Sequence, residues 1–480
     1  MTITLALIDI GGSSVKVTIR KDSAGEIFSH ESMINPLVDG KHIFLDPRQL
    51  LECVIHTMNK AASKIAGNEP INKIYISTLR QGFCLIRENV EITPIYLNSD
   101  TSGEFSRSDI ANYGSERIYQ ETGHWFAPQL TLPKLINLFR VTPDLKSDKT
   151  RMLFVHDWLV WKMSAIIQTE MTLVSAGQLA DLSRRNIHWD LLEHFEIPST
   201  LIPNPAKFGT VIGSLSTEIR SQLSSNWTYA ELCVGGGDSH FLHMGASGNT
   251  PGKVVVSAGS STPISLLSPT LGKSTLLQPW KSTSFASSAY FLEGNLGYPG
   301  SFFGWLSKNV SIPIKNQEVN MHTLSKAPTV FGSCNMWNEE KWDSRPAFSI
   351  LGDHAQSTSE EIALGLTLDY SFALANQISA LIRDNFEINQ VVITGGGANR
   401  QIQAILKSLI SVPVEILSSQ HSISNLFSLL NDESATPINF ESITVELDQE
   451  TSEFLLMQSK KHALLYEQVE GTRKVLENAQ

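Results

Sequence analysis

The residues best suited to chemistry lie in the run Leu232-Cys233-Val234-Gly235-Gly236-Gly237-Asp238-Ser239-His240, an apolar stretch broken by three glycines and a lone carboxylate. Three glycines together are entropically costly, so they are kept where φ is positive or where another group must approach the backbone closely. A carboxylate just past such a turn, at the end of a strand, is placed to meet a ligand at the sheet's carboxyl edge. Taken alone, the run reads equally well as a tight turn with a solvated Asp. Further glycine-bearing turns follow apolar runs at 11–14, 259–262 and 395–397. Turns of this kind aim successive N–H groups outward and form anion-binding nests, so the chemistry they suggest together is that of a phosphate ligand. Neither GxxxxGK[ST] nor a G-x-G-x-x-G after a strand is present, which disfavours P-loop NTPases and Rossmann dehydrogenases.

The elements that must position these turns alternate between strand and helix, which predicts an α/β protein. Residues 3–10 form a β run ending at Asp9, and 15–20 alternate as a second strand, leaving Gly11, Gly12, Ser13 and Ser14 as the hairpin between them. A third strand follows near 26–33. Asp46-Pro47 opens a helix whose apolar face runs from Leu50 through Val54 and Met58 to Ile65. Further strands fall at 73–77 and 83–86, and 155–162 reads as the start of a buried helix, so His156, Trp158 and Trp161 are expected in the core. Residues 254–265 repeat the opening theme, an apolar run and then Gly259 with small hydroxyl residues, which hints at two related halves. Thr358 and Glu361 form a capping box that starts a long helix reaching about Arg383. A strand at 390–394, Gly395-Gly396-Gly397, an amphipathic helix and a last helix over 449–476 complete the chain.

At 480 residues the chain is too long for one core. Its net charge of −11 argues against a nucleic-acid-binding domain. The four cysteines, Cys53, Cys84, Cys233 and Cys334, form no CxxC pair, so neither a zinc knuckle nor a disulfide framework is expected. The opening MTITLALID lacks a basic n-region and no stretch approaches 18 apolar residues, so a cytoplasmic protein without a membrane partner is expected.

In their order these motifs resemble the FGGY carbohydrate kinases, within the actin/hexokinase ATPase fold. Asp9-Ile10-Gly11-Gly12-Ser13-Ser14-Val15-Lys16 resembles that family's first phosphate loop, and Val256-Ser257-Ala258-Gly259-Ser260-Ser261 its second. Gly237-Asp238 with Gly245 is similar to the segment of the catalytic aspartate, and Val392-Ile393-Thr394-Gly395-Gly396-Gly397-Ala398 to the adenosine motif. Thr122-Gly123 through Pro133-Lys134, His156-Asp157-Trp158-Leu159 and Gly304-Trp305-Leu306 match weaker landmarks.

The resemblance implies two RNase-H-like domains flanking a catalytic cleft: 1–245, with the acceptor sugar and the base, and 246–480, with ATP. It implies Mg²⁺-dependent transfer from ATP to a hydroxyl of a small sugar or polyol. Asp238 would be general base and Asp9 and Asp238 the magnesium carboxylates. Gly11, Gly12, Ser13, Ser14, Lys16, Gly259, Ser260, Ser261, Gly395, Gly396, Gly397 and Asn399 would serve the nucleotide. Arg80, Gln81 and Asp100 occupy the places where the family contacts the acceptor, and the Arg-Gln-Gly-Phe wording looks closer to the autoinducer-2-kinase-like branch than to xylulokinase. Similar kinases are often homodimers. The usual Trp and Arg around Asp100 are missing, and the small-residue Gly-Ala-Ala segment is not recognisable near 422–430. A silent sugar-binding sensor and an acceptor-independent phosphohydrolase are the competing readings, and the intact Asp9 and Asp238 argue against the sensor. His240 and His243 are expected to pack behind the base.

Overall fold

The computed structural model describes residues 3–21, 25–65, 69–273, 278–286, 288–312, 318–332, 349–351, 357–432 and 446–478. Cys334 lies outside them. The chain forms two compact units. The first comprises Met1–Met244 with Trp280–Tyr290 and Leu426–Ala435; the second comprises Gly245–Pro279, Phe291–Asn425 and Thr436–Gln480.

In the first unit the main sheet is built from β1 (Leu5–Ile10), β2 (Ser14–Lys21), β3 (Glu26–Met33), β4 (Lys73–Thr78), β5 (Val211–Ser214) and β6 (Glu231–Cys233). Their order is β5-β6-β4-β1-β2-β3, with β7 (Gly236–Gly237) continuing against β4. β2 runs antiparallel to β1 and β3, whereas β4 runs parallel to β1 and β6. Alternation in the first hairpin puts Val15, Val17 and Ile19 inward, each fully buried. Helix α1 (Pro47–Ala62) covers this sheet with Leu50, Val54 and Met58. Asp46 caps it by accepting from the Gln49 N–H at 3.0 Å. It stops at Ala62, short of Ile65, where the Lys64 and Ile65 N–H groups donate to the Ala61 and Ala62 carbonyls three residues back, tightening the chain out of the α-helical pattern. Further on, α2 (Val155–Ser164) is buried along most of its length, and α3 (Met171–Ala176) and α4 (Asp238–Ser247) flank the glycine run.

Two stretches from the chain's second half join this unit through specific contacts. Trp280 is buried against Trp125, with ring centroids 5.2 Å apart, and the Lys281 N–H donates to the Gly123 carbonyl at 2.9 Å. Phe285 stacks on Phe208 at 3.9 Å. Near the chain's end, the Arg20 guanidinium donates to the Ser428 hydroxyl at 2.9 Å and the Tyr75 hydroxyl to the Leu430 carbonyl at 3.1 Å.

The second unit repeats the strand plan. β8 (Lys253–Ser257), β9 (Pro263–Ser268), β10 (Tyr290–Asn295), β11 (Gln390–Thr394) and β12 (Val414–Leu417) lie in the order β10-β9-β8-β11-β12. β8 is antiparallel to β9 and parallel to β11, which is parallel to β12. Both units therefore place an antiparallel hairpin beside parallel strands reached by crossovers, the ribonuclease-H-like arrangement expected from the sequence. Helix α5 (Pro299–Asn309) follows β10, and α6 (Ser359–Arg383) starts at the Thr358–Glu361 capping box. Helix α7 (Arg400–Leu409) packs Ile402, Ile405 and Leu406 inward. The segment 419–431, where no Gly-Ala-Ala motif was legible, is helix α8 (Ser419–Asn431) with Phe427 fully buried. Helix α9 (Gln449–Asn478) closes the described chain. Among the described residues no helix is long and apolar enough to cross a membrane.

Candidate active site

Parallel pairing of β1, β4 and β6 brings three carboxyl ends side by side, and the polar residues of the first unit gather there. Asp9 stands one residue before the end of β1 and accepts from the Ser77 hydroxyl of β4 at 2.7 Å. Burial pushes its carboxyl up to about 6; the Ser77 hydroxyl opposes this, Asp238 adds to it, and Lys16, opposite on β2, opposes it. Asp238 opens α4 with its side chain 42% exposed, and its Oδ1 lies 3.4 Å from Arg80 Nε, itself 11% exposed. Two acidic groups thus share one sheet edge with a guanidinium beside the outer one.

Asp9 leads into the hairpin 11–14, where the Gly11 N–H donates to the Ser14 carbonyl at 2.9 Å. A Cβ on Gly11 or Gly12 would meet only one atom each, Ser14 O at 3.7 Å and Asn98 Oδ1 at 3.8 Å. Neither glycine has positive φ. The protein's own packing does not demand glycine there, so this face of the hairpin stands open. Asn98 beside Gly12 also brings the 98–100 loop to this hairpin.

The glycine run at 235–237 behaves differently from a turn with free N–H groups. Gly236 and Gly237 pair with Ser77 and Thr78, extending the sheet. A Cβ on Gly235 would lie 1.8 Å from the Ile76 carbonyl oxygen, and one on Gly237 2.8 Å from the Arg80 side chain. Close approach, not positive φ, requires these glycines. The expected anion nest is absent here because the backbone is committed to the sheet and to buried side chains.

Arg80 and Gln81 follow β4. Gln81 is buried with φ of +63°, a conformation L residues rarely take. Its carbonyl accepts from Lys134 Nζ at 2.9 Å and the Thr131 hydroxyl at 3.1 Å, and its amide donates to the Ala176 carbonyl at 3.2 Å. Lys134 also donates to the Leu97 carbonyl at 2.8 Å; burial pulls its ammonium down to about 8, against the attraction of Asp100. Asp100 is fully buried and accepts from the Ile43 N–H at 3.0 Å, from His42 Nδ1 at 3.2 Å and from the Ser102 N–H at 2.9 Å. Its carboxylate ties the loop of Asp100 and Ser102 to the strand residues His42 and Ile43. His240 donates from Nε2 to the Thr283 carbonyl at 3.0 Å, and burial followed by the Arg80 charge pushes it down to about 3. It packs behind Asp238 as a neutral ring. Lys134, Thr131 and Ser77 were not singled out from sequence as individual site residues, since only the fold brings their donors to Gln81 and Asp9.

In the second unit the turns after β8 and β11 interlock. The Ala258 N–H donates to the Thr394 carbonyl at 2.7 Å, and the Ala258 carbonyl accepts from Gly397 at 2.8 Å. Gly395 has φ of +99° with Ala258 O 2.6 Å from a Cβ position, and a Cβ on Gly300 would lie 2.0 Å from Gly259 O. A Cβ on Gly396 would meet nothing within 4 Å. These turns, with Pro299 and Phe303 of α5, Thr367 and Tyr370 of α6, and Asn399, line a cavity of about 330 Å³. Asn399 caps α7 by accepting from the Ile402 N–H at 2.9 Å. Ser260 and Ser261 lie in the turn itself, where the Ser260 carbonyl accepts from Ser301 at 3.1 Å.

Two ribonuclease-H-like units, each with glycine turns at the carboxyl ends of its parallel strands, define the actin/hexokinase class of fold. The model for the FGGY family of carbohydrate kinases, N-terminal domain, matches residues 4–244. The chain belongs to that family and is an enzyme of the carbohydrate kinase type. It is 22% identical over 414 residues to the xylulose kinase of Staphylococcus xylosus, covering 83% of this chain and 84% of that one. Among solved structures, the glycerol kinase of Plasmodium falciparum with ADP superposes with a TM-score of 0.81 at 17% identity, over 97% of this chain and 98% of that one. The xylulose kinase of Rhodospirillum rubrum gives 0.81 at 16% identity, over 98% and 99%.

Proposed function

We propose that the protein transfers the γ-phosphoryl group of ATP to a hydroxyl of a small sugar or polyol, with Asp238 as general base. The observation that carries this reading is the placing of Asp9 and Asp238 at the carboxyl ends of the two strands that flank β4, with Arg80 3.4 Å from Asp238. Phosphoryl transfer is mainly positioning and charge stabilisation, so the protein must hold donor, cation and hydroxyl in line. Asp238 is accessible enough to take the hydroxyl proton, while Arg80 orients its carboxylate. The first unit takes the acceptor, with Arg80 and Gln81 as contacts and Asp100 holding the loop that carries Asn98. The second takes the nucleotide, its adenosine part in the cavity beside Gly396, its phosphates at Gly259, Ser260 and Ser261. Gly11 to Ser14 and Lys16 receive the transferred group.

Asp9 and Asp238 would hold magnesium, an ion that keeps several waters, needs only one or two carboxylates and neutralises phosphate charge when bound. Their fit to a cation rests on their closeness: after burial, the Asp238 charge adds to what raises the Asp9 carboxyl, a cost that a cation between them would relieve.

Asp238→Asn tests the base. ADP release with Mg·ATP across ketoses, aldoses, polyols and the autoinducer-2 precursor is expected to vanish, with ATP affinity kept. Retained turnover would remove Asp238 from this role.

A further inference from the structure

The glycine strand that ends in Asp238 has sheet on one edge only. On its inner edge Gly236 and Gly237 pair with β4. On its outer edge β5 accompanies β6 as far as Val234, whose N–H donates to the Thr210 carbonyl at 2.8 Å. From Gly235 onward two buried side chains take the place of the outer strand. The Gly235 N–H donates to His156 Nε2 at 3.0 Å, and the Gly237 N–H reaches the Thr172 hydroxyl at 3.5 Å. Alternate N–H groups of an extended strand point to the same side, so one edge is met twice.

Each of these side chains is oriented by a carboxyl group behind it. His156 Nε2 accepts, so its proton sits on Nδ1, which donates to Asp157 Oδ1 at 2.9 Å. Asp157 Oδ2 accepts from the Phe154 N–H at 3.1 Å, tying the relay to the start of α2. The His156 and Asp157 side chains are completely buried. On the other arm Glu170 Oε2 accepts from the Thr172 hydroxyl and, at 2.7 Å, from the Thr172 N–H. The Thr172 hydroxyl thus donates to Glu170 and accepts from Gly237. No side chain fits between these arms and the strand: a Cβ on Gly236 would lie 2.9 Å from Thr172 Oγ1 and 3.0 Å from Glu170 Oε2.

We infer that His156 with Asp157, and Thr172 with Glu170, are positioning residues that fix the backbone at Gly235 and Gly237 and so set where the Asp238 carboxylate stands. The inference rests on Asp238 being the base. Burial raises the Glu170 carboxyl to about 8, against the hydroxyl and N–H of Thr172, so the acid form predominates below that pH.

The test compares His156→Leu with His156→Gln, and Thr172→Val with Thr172→Ser, beside Asp238→Asn, using the acceptor that gives the fastest ADP release with Mg·ATP. Leu and Val remove the acceptor atom; Gln and Ser restore one. Misplacing a reacting group by about 1 Å costs roughly 10²-fold, so kcat should fall by roughly that factor in the Leu and Val variants while KM for ATP stays within about twofold. The Gln and Ser variants should recover most of the loss. Crystal structures of the Leu and Val variants should show the Gly235–Asp238 backbone displaced, and ¹⁵N NMR of the unliganded wild type should show His156 protonated at Nδ1 alone. If His156→Leu does not fold, Thr172→Val carries the test, because it keeps shape and volume. Folded Leu and Val variants with wild-type kcat and an unmoved backbone would overturn the inference while Asp238→Asn stays inactive. An active Asp238→Asn would instead overturn the assignment of the base.

Discussion

Glu170→Gln is expected to stabilise the protein, and to do so more strongly as the pH rises. Burial raises the Glu170 carboxyl from 4.5 to about 8, opposed by the hydroxyl and N–H of Thr172. In the unfolded chain the group loses its proton near 4.5, whereas in the folded chain it keeps it to about 8. Between these values folding takes up a proton, so stability falls as the pH climbs through the window, and the whole penalty is present above it. At about 1.4 kcal/mol per pH unit, that window amounts to about 5 kcal/mol. Glutamine has the same shape, never ionises, and its amide oxygen can accept both Thr172 bonds. The two proteins should therefore differ little at pH 4.5 and diverge up to pH 8. Urea midpoints at successive pH values give the comparison. Because a chain of two units need not unfold in one step, hydrogen exchange at the amides of Thr172 and Gly237 supplies the local reading. Parallel stability curves for the two proteins across this range would refute a buried, protonated Glu170.

The glycines of the second unit make opposite predictions. Gly396→Ala should fold normally, since a Cβ there meets nothing within 4 Å, yet raise KM for ATP by filling the cavity proposed for the nucleotide. Gly395→Ala should lose about 1–3 kcal/mol of stability, because its backbone sits at φ of +99° against Ala258 O. Thermal melts and ATP titrations of the two variants separate the cases, and equal melting temperatures would refute the distinction. The acidic limb of kcat/KM should fall near pH 6, where Asp9 gives up its proton to the more basic side and becomes a carboxylate. Activity should rise with pH through that value, and a limb below pH 5 would exclude Asp9 as the titrating group.

How far the sequence reveals this molecule depends on the range of the interaction involved. The Asp46 cap, the Thr358–Glu361 box and the hairpin around Gly11 and Gly12 are local, and residues within four positions of one another decide them. The recurrence of an apolar run followed by Gly259 likewise disclosed the second ribonuclease-H-like sheet. Asp100 shows the limit, because a carboxylate at the right spacing looks the same in sequence whether it faces a ligand or accepts, as here, from Ser102 of its own loop and from Ile43 and His42, 57 and 58 residues earlier. Gln81 in the left-handed region has no local signature at all; Lys134 and Thr131, about fifty residues away, hold it there.

The glycine run shows the same limit in sharper form. Glycine is demanded by positive φ or by close approach, and a sequence cannot tell which. Here the Ile76 carbonyl lies where a Cβ on Gly235 would sit, and the donor that remains finds its partner in His156, 79 residues earlier. A histidine read from sequence as core is indeed core, fully buried on α2. Its burial is also what makes it useful, since a neutral imidazole shielded from water keeps one tautomer and one rotamer, and so one position for the strand. The Asp238 carboxylate, the proposed base, can stay accessible because the backbone beneath it is held by groups that are not.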